Sequence, residues 1–294
     1  MTWQQIARKD FEDAVRSKML WGIMAVFVGF MAFVVGVTLA NSDGGGASGD
    51  AALGLTAQLG QLFVPLIALI AGYMAVVGER RTGSLRVLLG YPHSRWDVVL
   101  GKLVGRTGVI AVTLGVGSVV SIALVALATA SPDLGAVAGL LGAIVLFGAA
   151  ITGLAVGISA SVRSRGTAMA LAIGSVLVFL IVWDAAAAGA YALVTGALPG
   201  LEAEPWYFLL KRLNPVGAFR VVAGAFVDGY IHEFFSLGLE QIPEGTETEQ
   251  LAVENRVDGS LPVYLSEWVA ALTLVAWALV PSLVGYLRFS RSDL

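Results

Sequence analysis

The feature that most constrains this chain is a series of windows without a charged side chain, each long enough to cross a lipid bilayer. One runs from Met19 to Ser42, between Lys18 and Asp43. Others lie between Asp50 and Glu79, Arg106 and Asp133, Asp133 and Arg163, Arg165 and Asp184, and Glu267 and Arg288. A hydrocarbon core about 30 Å thick needs roughly 20 apolar residues in a helix. Backbone groups in lipid must be satisfied internally, which leaves only helices and closed barrels. None of the windows alternates as a barrel strand would. Composition agrees: 57% of residues are hydrophobic and 13% charged, against roughly a quarter charged in soluble domains. At a mean hydropathy of +0.82, no soluble core of this size could bury the apolar surface. The sequence therefore predicts an all-α, polytopic membrane protein, one domain over 1–294. Its six transmembrane helices are placed at 19–42, 55–78, 105–130, 136–160, 166–187 and 267–288.

The stretch Ala185–Leu201 is also uncharged. It either extends the fifth helix or forms a short re-entrant piece. A separate span would be short, and it would put Arg288 and Arg291 on the side opposite the N-terminus. Counting Lys and Arg by loop orients the chain. With the N-terminus inside, fourteen of the eighteen basic residues and six of the twenty-one acidic ones are cytoplasmic, a net of +8 against −11 outside. Only Lys211, Arg212, Arg220 and Arg256 remain on the outer side. Both termini are expected in the cytoplasm of a plasma-membrane protein, with 188–266 extracellular.

The outer acidity carries a second expectation. Glu240, Glu244, Glu247, Glu249, Glu254 and Asp258 crowd one short segment, and only four basic residues are lysine. Such a surface repels itself in dilute buffer. In molar salt, with a Debye length of about 3 Å, the repulsion is screened. This points to a halophilic host, an archaeon; an ordinary acidic loop is the alternative.

The first eighteen residues are too charged for a signal peptide. Trp3, Ile6, Ala7, Phe11, Ala14 and Val15 recur at helical spacing, with Arg8, Lys9, Glu12, Asp13 and Arg16 on the other face. A helix over 1–18 lying in the membrane interface is expected, in contact with lipid.

The loop 79–102 is the most informative segment. Thr82-Gly83-Ser84 is turn chemistry ending in a helix N-cap at Ser84. Leu85, Leu88 and Leu89 make one apolar face over two turns, and Gly90 and Pro92 stop the helix. Ser94 can cap the next helix. A short amphipathic helix held between two spans suits docking in a partner's groove. A basic juxtamembrane loop attracted to anionic lipid would explain the arginines but not the leucines.

The pattern Glu79…Thr82-Gly83-Ser84-Leu85…Leu88-Leu89…Pro92…Ser94-Arg95…Lys102 resembles the coupling-helix region of exporter-type ABC transporter permeases. It is most similar to the branch of nitrous-oxide-reductase and multicopper-enzyme maturation permeases. Leu213-Asn214-Pro215-Val216-Gly217-Ala218-Phe219-Arg220 resembles a segment this branch carries before its last span. The motifs cover about thirty residues; the rest of the likeness is architectural. It implies a permease working as a homodimer or heterodimer with separate ATP-binding proteins. Leu85, Leu88 and Leu89 would enter the ATPase groove, Glu79, Arg81 and Arg86 would make charged contacts, and Gly83 would permit the turn. Ser84, Pro92, Arg95 and Lys102 complete the set of ATPase-coupling residues.

The chain has no phosphate loop: Gly101-Lys102 is followed by Leu103. It is therefore expected to be a non-catalytic subunit with no cofactor of its own, ATP being bound by the partner. Ion-coupled transporters hold ionisable residues inside their spans, and here only Asp184, at the outer end of the fifth helix, comes near. Cysteine is absent and His232-Glu233 lacks a second nearby histidine, so no metal site is expected. His93 reads as a spacer in the loop. Small-x3-small pairs such as Gly101/Gly105 and Gly153/Gly157 arise easily by chance among 36 glycines. Short helices around Trp206–Leu213 and Val216–Phe226 would serve either an extracellular partner or a lid over the translocation path; no nucleic-acid partner is expected. The competing reading is a stand-alone six-helix channel or scaffold.

Overall fold

The computed structural model describes residues 3–40, 49–82, 94–128 and 133–291, apart from 228, 230, 234 and 236. Every regular element among them is helical, and the only β-type pairing is an isolated bridge between Gly200 and Gln241. In chain order the α-helices are α1 (Trp3–Val15), α2 (Lys18–Ala40), α3 (Gly49–Gly72), α4 (Val77–Thr82), α5 (Arg95–Ala128), α6 (Leu134–Ser161), α7 (Arg165–Leu177), α8 (Trp183–Thr195), α9 (Pro205–Leu213), α10 (Pro215–Gly224) and α11 (Glu267–Ser290). A π-turn, Val178–Val182, joins α7 to α8 without a break.

Five stretches among the described residues are long and apolar enough to cross a membrane: Leu53–Arg80, Arg95–Val120, Leu134–Ser161, Arg165–Thr195 and Glu267–Ser290. The chain is a multi-pass membrane protein. Helix α2 covers the first uncharged window and is 23 residues long; the count of six spans rests on it. Two boundaries differ from those read in the sequence. The third long helix starts at Arg95 rather than 105, because Ser94 and Asp97 cap it reciprocally: Asp97 N–H donates to Ser94 Oγ at 3.0 Å, and Ser94 N–H to Asp97 Oδ2 at 3.0 Å. The fifth runs to Thr195, eight residues past 187, and stops at Gly196 with φ 80°. Ala185–Thr195 thus extends the fifth helix.

Close packing depends on the glycines. A Cβ on Gly153 or Gly157 would strike the backbone of Ala278 or Pro281, and one on Gly285 would lie 2.6 Å from Gly157 O. These residues let α6 and α11 touch backbone to backbone, and Ser282 Oγ donates across the contact to Gly153 O at 3.0 Å. Gly101 and Gly105 do the same for α1: a Cβ at Gly101 would meet Ile6 Cβ at 2.7 Å, and one at Gly105 would meet Ala7 O at 2.7 Å. Both glycine pairs that chance could have produced are contact points.

The elements divide between two ends of the bundle. One, basic, carries α1, α4, the start of α5 and the last turn of α11. The other, acidic, carries 196–266. At the basic end Ser159 Oγ accepts from the N–H groups of Val76 and Val77 at 3.0 and 3.1 Å, stitching the turn between α3 and α4 to α6. At the acidic end α10 sinks against α3, α6 and α11, and Phe219, fully buried, stacks on Phe147 with centroids 4.6 Å apart.

Candidate functional sites at the two ends of the bundle

Residues 83–93 lie outside the described residues, and with them Gly83, Ser84, Leu85, Arg86, Leu88, Leu89 and Pro92. The backbone of Arg81 lies in α4. Glu79, Arg95 and Lys102 are placed fully, at the base of the loop. Lys102 is 1% exposed. Its Nζ lies 2.9 Å from Glu79 Oε1 and 3.3 Å from Asp10 Oδ1, while Arg106 Nε reaches Asp10 Oδ2 at 2.6 Å. The pair Glu79–Lys102 therefore joins α4 to α5, and Asp10 fastens α1 to α5 through Lys102 and Arg106. A buried lysine with two carboxylates is satisfied as a charge, but it is turned inward rather than toward a partner. Arg80 and Arg95 stand over one ring, Phe289, at 5.4 and 5.3 Å from its centroid.

Asp10 is the functional residue that sequence reading missed. It sits three and four residues from Ile6, Ala7 and Ala14, on the face that packs against α5. An acidic residue in register with an apolar stripe was the signal available.

At the acidic end, three of the four basic residues of 196–266 form one network with three carboxylates. Lys211 pairs with Glu233 and, at 2.6 Å, with Glu240. Arg220 reaches Glu233 at 3.1 Å and Asp184 at 3.7 Å. Arg256 Nη2 lies 2.7 Å from Glu240 and also donates to Gly200 O at 3.0 Å, and its Nε donates to Leu201 O at 2.8 Å. Tyr207 donates its hydroxyl to Glu240 at 2.8 Å. Asp184, expected at a helix end, is in the first turn of α8, well inside the long helix. Burial alone would raise the Glu240 carboxyl, but Lys211 and Arg256 outweigh it and hold it down to about 2. The same contest, against Lys211 and Arg220, leaves Glu233 below its ordinary range. Lys211 is held above its own: burial opposes this, and Glu233 and Glu240 win. Burial drives the Tyr207 hydroxyl up, so it stays protonated and donates. The three cations and the three carboxylates balance in number. Lys211, Arg220 and Arg256 also line a chamber of about 800 Å³, together with Phe208, Arg212, Val221 and Ile231.

The Asn214-Pro215 step ties this end to the fifth helix. In a π-turn, i→i+5 bonding leaves a carbonyl without its usual donor. Here Trp183 N–H bonds Val178 O, and Asn214 Nδ2 donates to Phe179 O at 2.7 Å. Asn214 Oδ1 meanwhile caps α10 by accepting from Val216 N–H at 3.0 Å. The last carbonyls of α9 are taken by two indoles: Trp183 Nε1 donates to Leu210 O and Trp277 Nε1 to Leu213 O, both at 2.9 Å. Among the described residues no group of His, Asp and Glu could hold a metal.

A multi-pass helical bundle with an ion-paired basic end and a folded acidic end narrows the choice of family, and comparison with known proteins decides it. Residues 4–294 match the family described as ABC-2 family transporter protein. The chain belongs to the ABC-2 transporter family. Among its relatives in that family, one from Stutzerimonas stutzeri, "Probable ABC transporter permease protein NosY", is 29% identical over 97% of both chains. A protein of the same description from Pseudomonas aeruginosa is 31% identical over 74% of this chain and 79% of its own. For an ABC-2 protein, the segment between α4 and α5 is flanked by Glu79, Arg80, Arg95 and Lys102, all engaged in holding its base.

Proposed function

We propose that this chain is the transmembrane permease subunit of an ATP-driven ABC transporter. Its loop 79–102 couples to a separate ATP-binding subunit, and the transporter moves its substrate outward. The observation that carries this reading is the near-full-length similarity to permease-described relatives, together with the loop base. Leu85, Leu88 and Leu89 enter the ATPase groove, with Arg81 and Arg86 beside them. Glu79, Arg95 and Lys102 hold the loop rather than touch the ATPase. Helix α2 is the sixth span, α1 lies in the interface, both termini are cytoplasmic, and a second permease copy or paralogue completes the dimer. The acidic end lies outside the cell, where it lids the path or meets an extracellular partner.

Affinity purification of the tagged protein from native membranes tests the coupling. A stoichiometric protein with a phosphate loop is expected with the parent chain. The Leu85→Asp/Leu88→Asp variant is expected to lose it at least about tenfold, as two buried leucines are each worth about 1.5–3 kcal/mol. Recovery of the chain alone would sink the permease reading in favour of a channel or scaffold.

A high-salt host is a separate part of this proposal. Glu244, Glu247, Glu249, Glu254 and Asp258 are exposed, whereas Glu240 belongs to the buried network. Dialysis from molar salt to about 0.1 M, where the Debye length grows to about 10 Å, is expected to open 240–258 to protease. An unchanged digestion pattern would argue for an ordinary acidic loop.

A further inference from the structure

We infer that Phe289 is a positioning residue for the coupling loop, the point through which movement of that loop is passed to the last span; the inference rests on the permease reading. The loop leaves α4 at Thr82 and returns at Arg95, and the arginines on either side of it grip the same side chain. Phe289 is fully buried, among Ile6, Val76, Val98, Val99 and Val156. The last carbonyls of a helix lack intrahelical donors and carry partial negative charge. Arg95 Nη1 donates to two of those on α11, Phe289 O at 2.5 Å and Ser290 O at 2.9 Å. Arg80 Nη1 donates to Val162 O, at the C-cap of α6, at 3.2 Å. Trp96, next to Arg95, packs edge-on against Tyr286 at 5.1 Å.

Two guanidinium groups sharing one small region would repel each other. An aromatic face draws both by its quadrupole, which an aliphatic side chain of similar bulk cannot do. The ring is thus what allows both ends of the loop to rest on the same helix turn. A push on the loop displaces the base that Glu79–Lys102 holds together, and Arg95 carries the displacement to the end of α11. That helix crosses to the acidic end, where Trp277 holds Leu213 O. A contiguous set of contacts becomes a route only when coupling along it is measured.

The chain lacks cysteine, so paired spin labels can be placed without background. With Trp268→Cys on the far end of α11 and Leu193→Cys at the end of α8, both exposed, magnesium ATP added to the permease–ATPase complex is expected to shift the distance between labels. Phe289→Leu is expected to keep the ATPase bound and lose the shift at least about twofold. Phe289→Tyr, which keeps the ring, is expected to restore it. Should Phe289→Leu fail to assemble, Arg95→Lys, which keeps the charge but loses the planar fork, is expected to lose the shift. Equal shifts in the parent and in Phe289→Leu, or an ATPase-bound parent that shows none, would overturn the inference alone. A parent without any bound ATPase would overturn the permease reading and the inference with it.

Discussion

Replacing Lys102 by methionine is expected to destabilise the basic end by about 3–5 kcal/mol, the usual cost of breaking a buried ion pair by removing one partner. Methionine fills much of the space of the lysine stem, so packing changes little. The loss falls on Glu79, which keeps its charge without its partner at 2.9 Å. Asp10 suffers less because Arg106 still reaches it. Helix α1 otherwise holds to α5 by an apolar strip, Ile6 and Ala7 over Gly101 and Gly105 and Phe11 and Ala14 against Val109. Hydrogen exchange in detergent micelles should show amides of 3–15 losing protection, with the spans little changed. Combining Lys102→Met with Glu79→Gln should recover part of the loss, since a neutral side chain tolerates burial better than a charge that has lost its lysine. Unchanged protection of α1 in Lys102→Met would mean that the apolar strip and the Asp10–Arg106 pair retain the helix without Lys102.

The second large effect is expected at Glu240. This carboxylate meets Lys211, Arg256 and Tyr207 at once. Glu240→Gln keeps the shape and removes the charge, leaving Arg256 without its carboxylate and Lys211 dependent on Glu233; a cost of about 3–5 kcal/mol follows. Limited proteolysis should cut 196–266 in the variant before it cuts the spans. Acid does the same to the parent chain. Because Glu240 titrates near 2 when folded, against an ordinary 4.5, its stabilisation is complete above about 4.5 and is lost as pH falls through about 2. The raised Lys211 works in the other direction: its contribution is complete below its ordinary 10.5 and is lost only as pH rises through the higher folded value. Between those limits the Glu240–Lys211 pair is expected to be indifferent to pH. A parent chain whose acidic end loosened between pH about 6 and 8 would contradict this.

Membrane spanning was legible because lipid imposes one rule on every residue of a span, so charge-free windows mark where the long helices lie, though not where they end. The cap at Ser94 could be read as well, being local chemistry between Ser94 and Asp97. The helix it starts carries Asp97, Lys102 and Arg106 ahead of the charge-free window, charges that a span reading assigns to a loop. Lys102 and Arg106 lie against Asp10 and Glu79, and such pairing between distant elements leaves no local pattern. The same holds at the acidic end. Lys211, Arg220 and Arg256 looked like scattered exceptions to a charge count, yet each finds a carboxylate from another part of the chain. Asn214-Pro215 stood out only as a resemblance; its physical task appears once Phe179 O is seen to need a donor. Aromatic pairs such as Phe147–Phe219 were equally hidden, since nothing in either segment names the other.

The π-turn at Val178–Val182 has an effect on angular phase. An α-helix advances about 100° per residue, and a π-turn amounts to one residue inserted into that rhythm. Every side chain of α8 is therefore rotated about the helix axis from where an uninterrupted α7 would have sent it. With this offset, Trp183 meets Leu210, Asp184 meets Arg220, and Tyr191 stacks on Trp206 at 5.5 Å. The inserted residue works as a phase setting: its removal would swing the whole inward face of α8 by roughly a quarter turn, although no side chain in that face had changed.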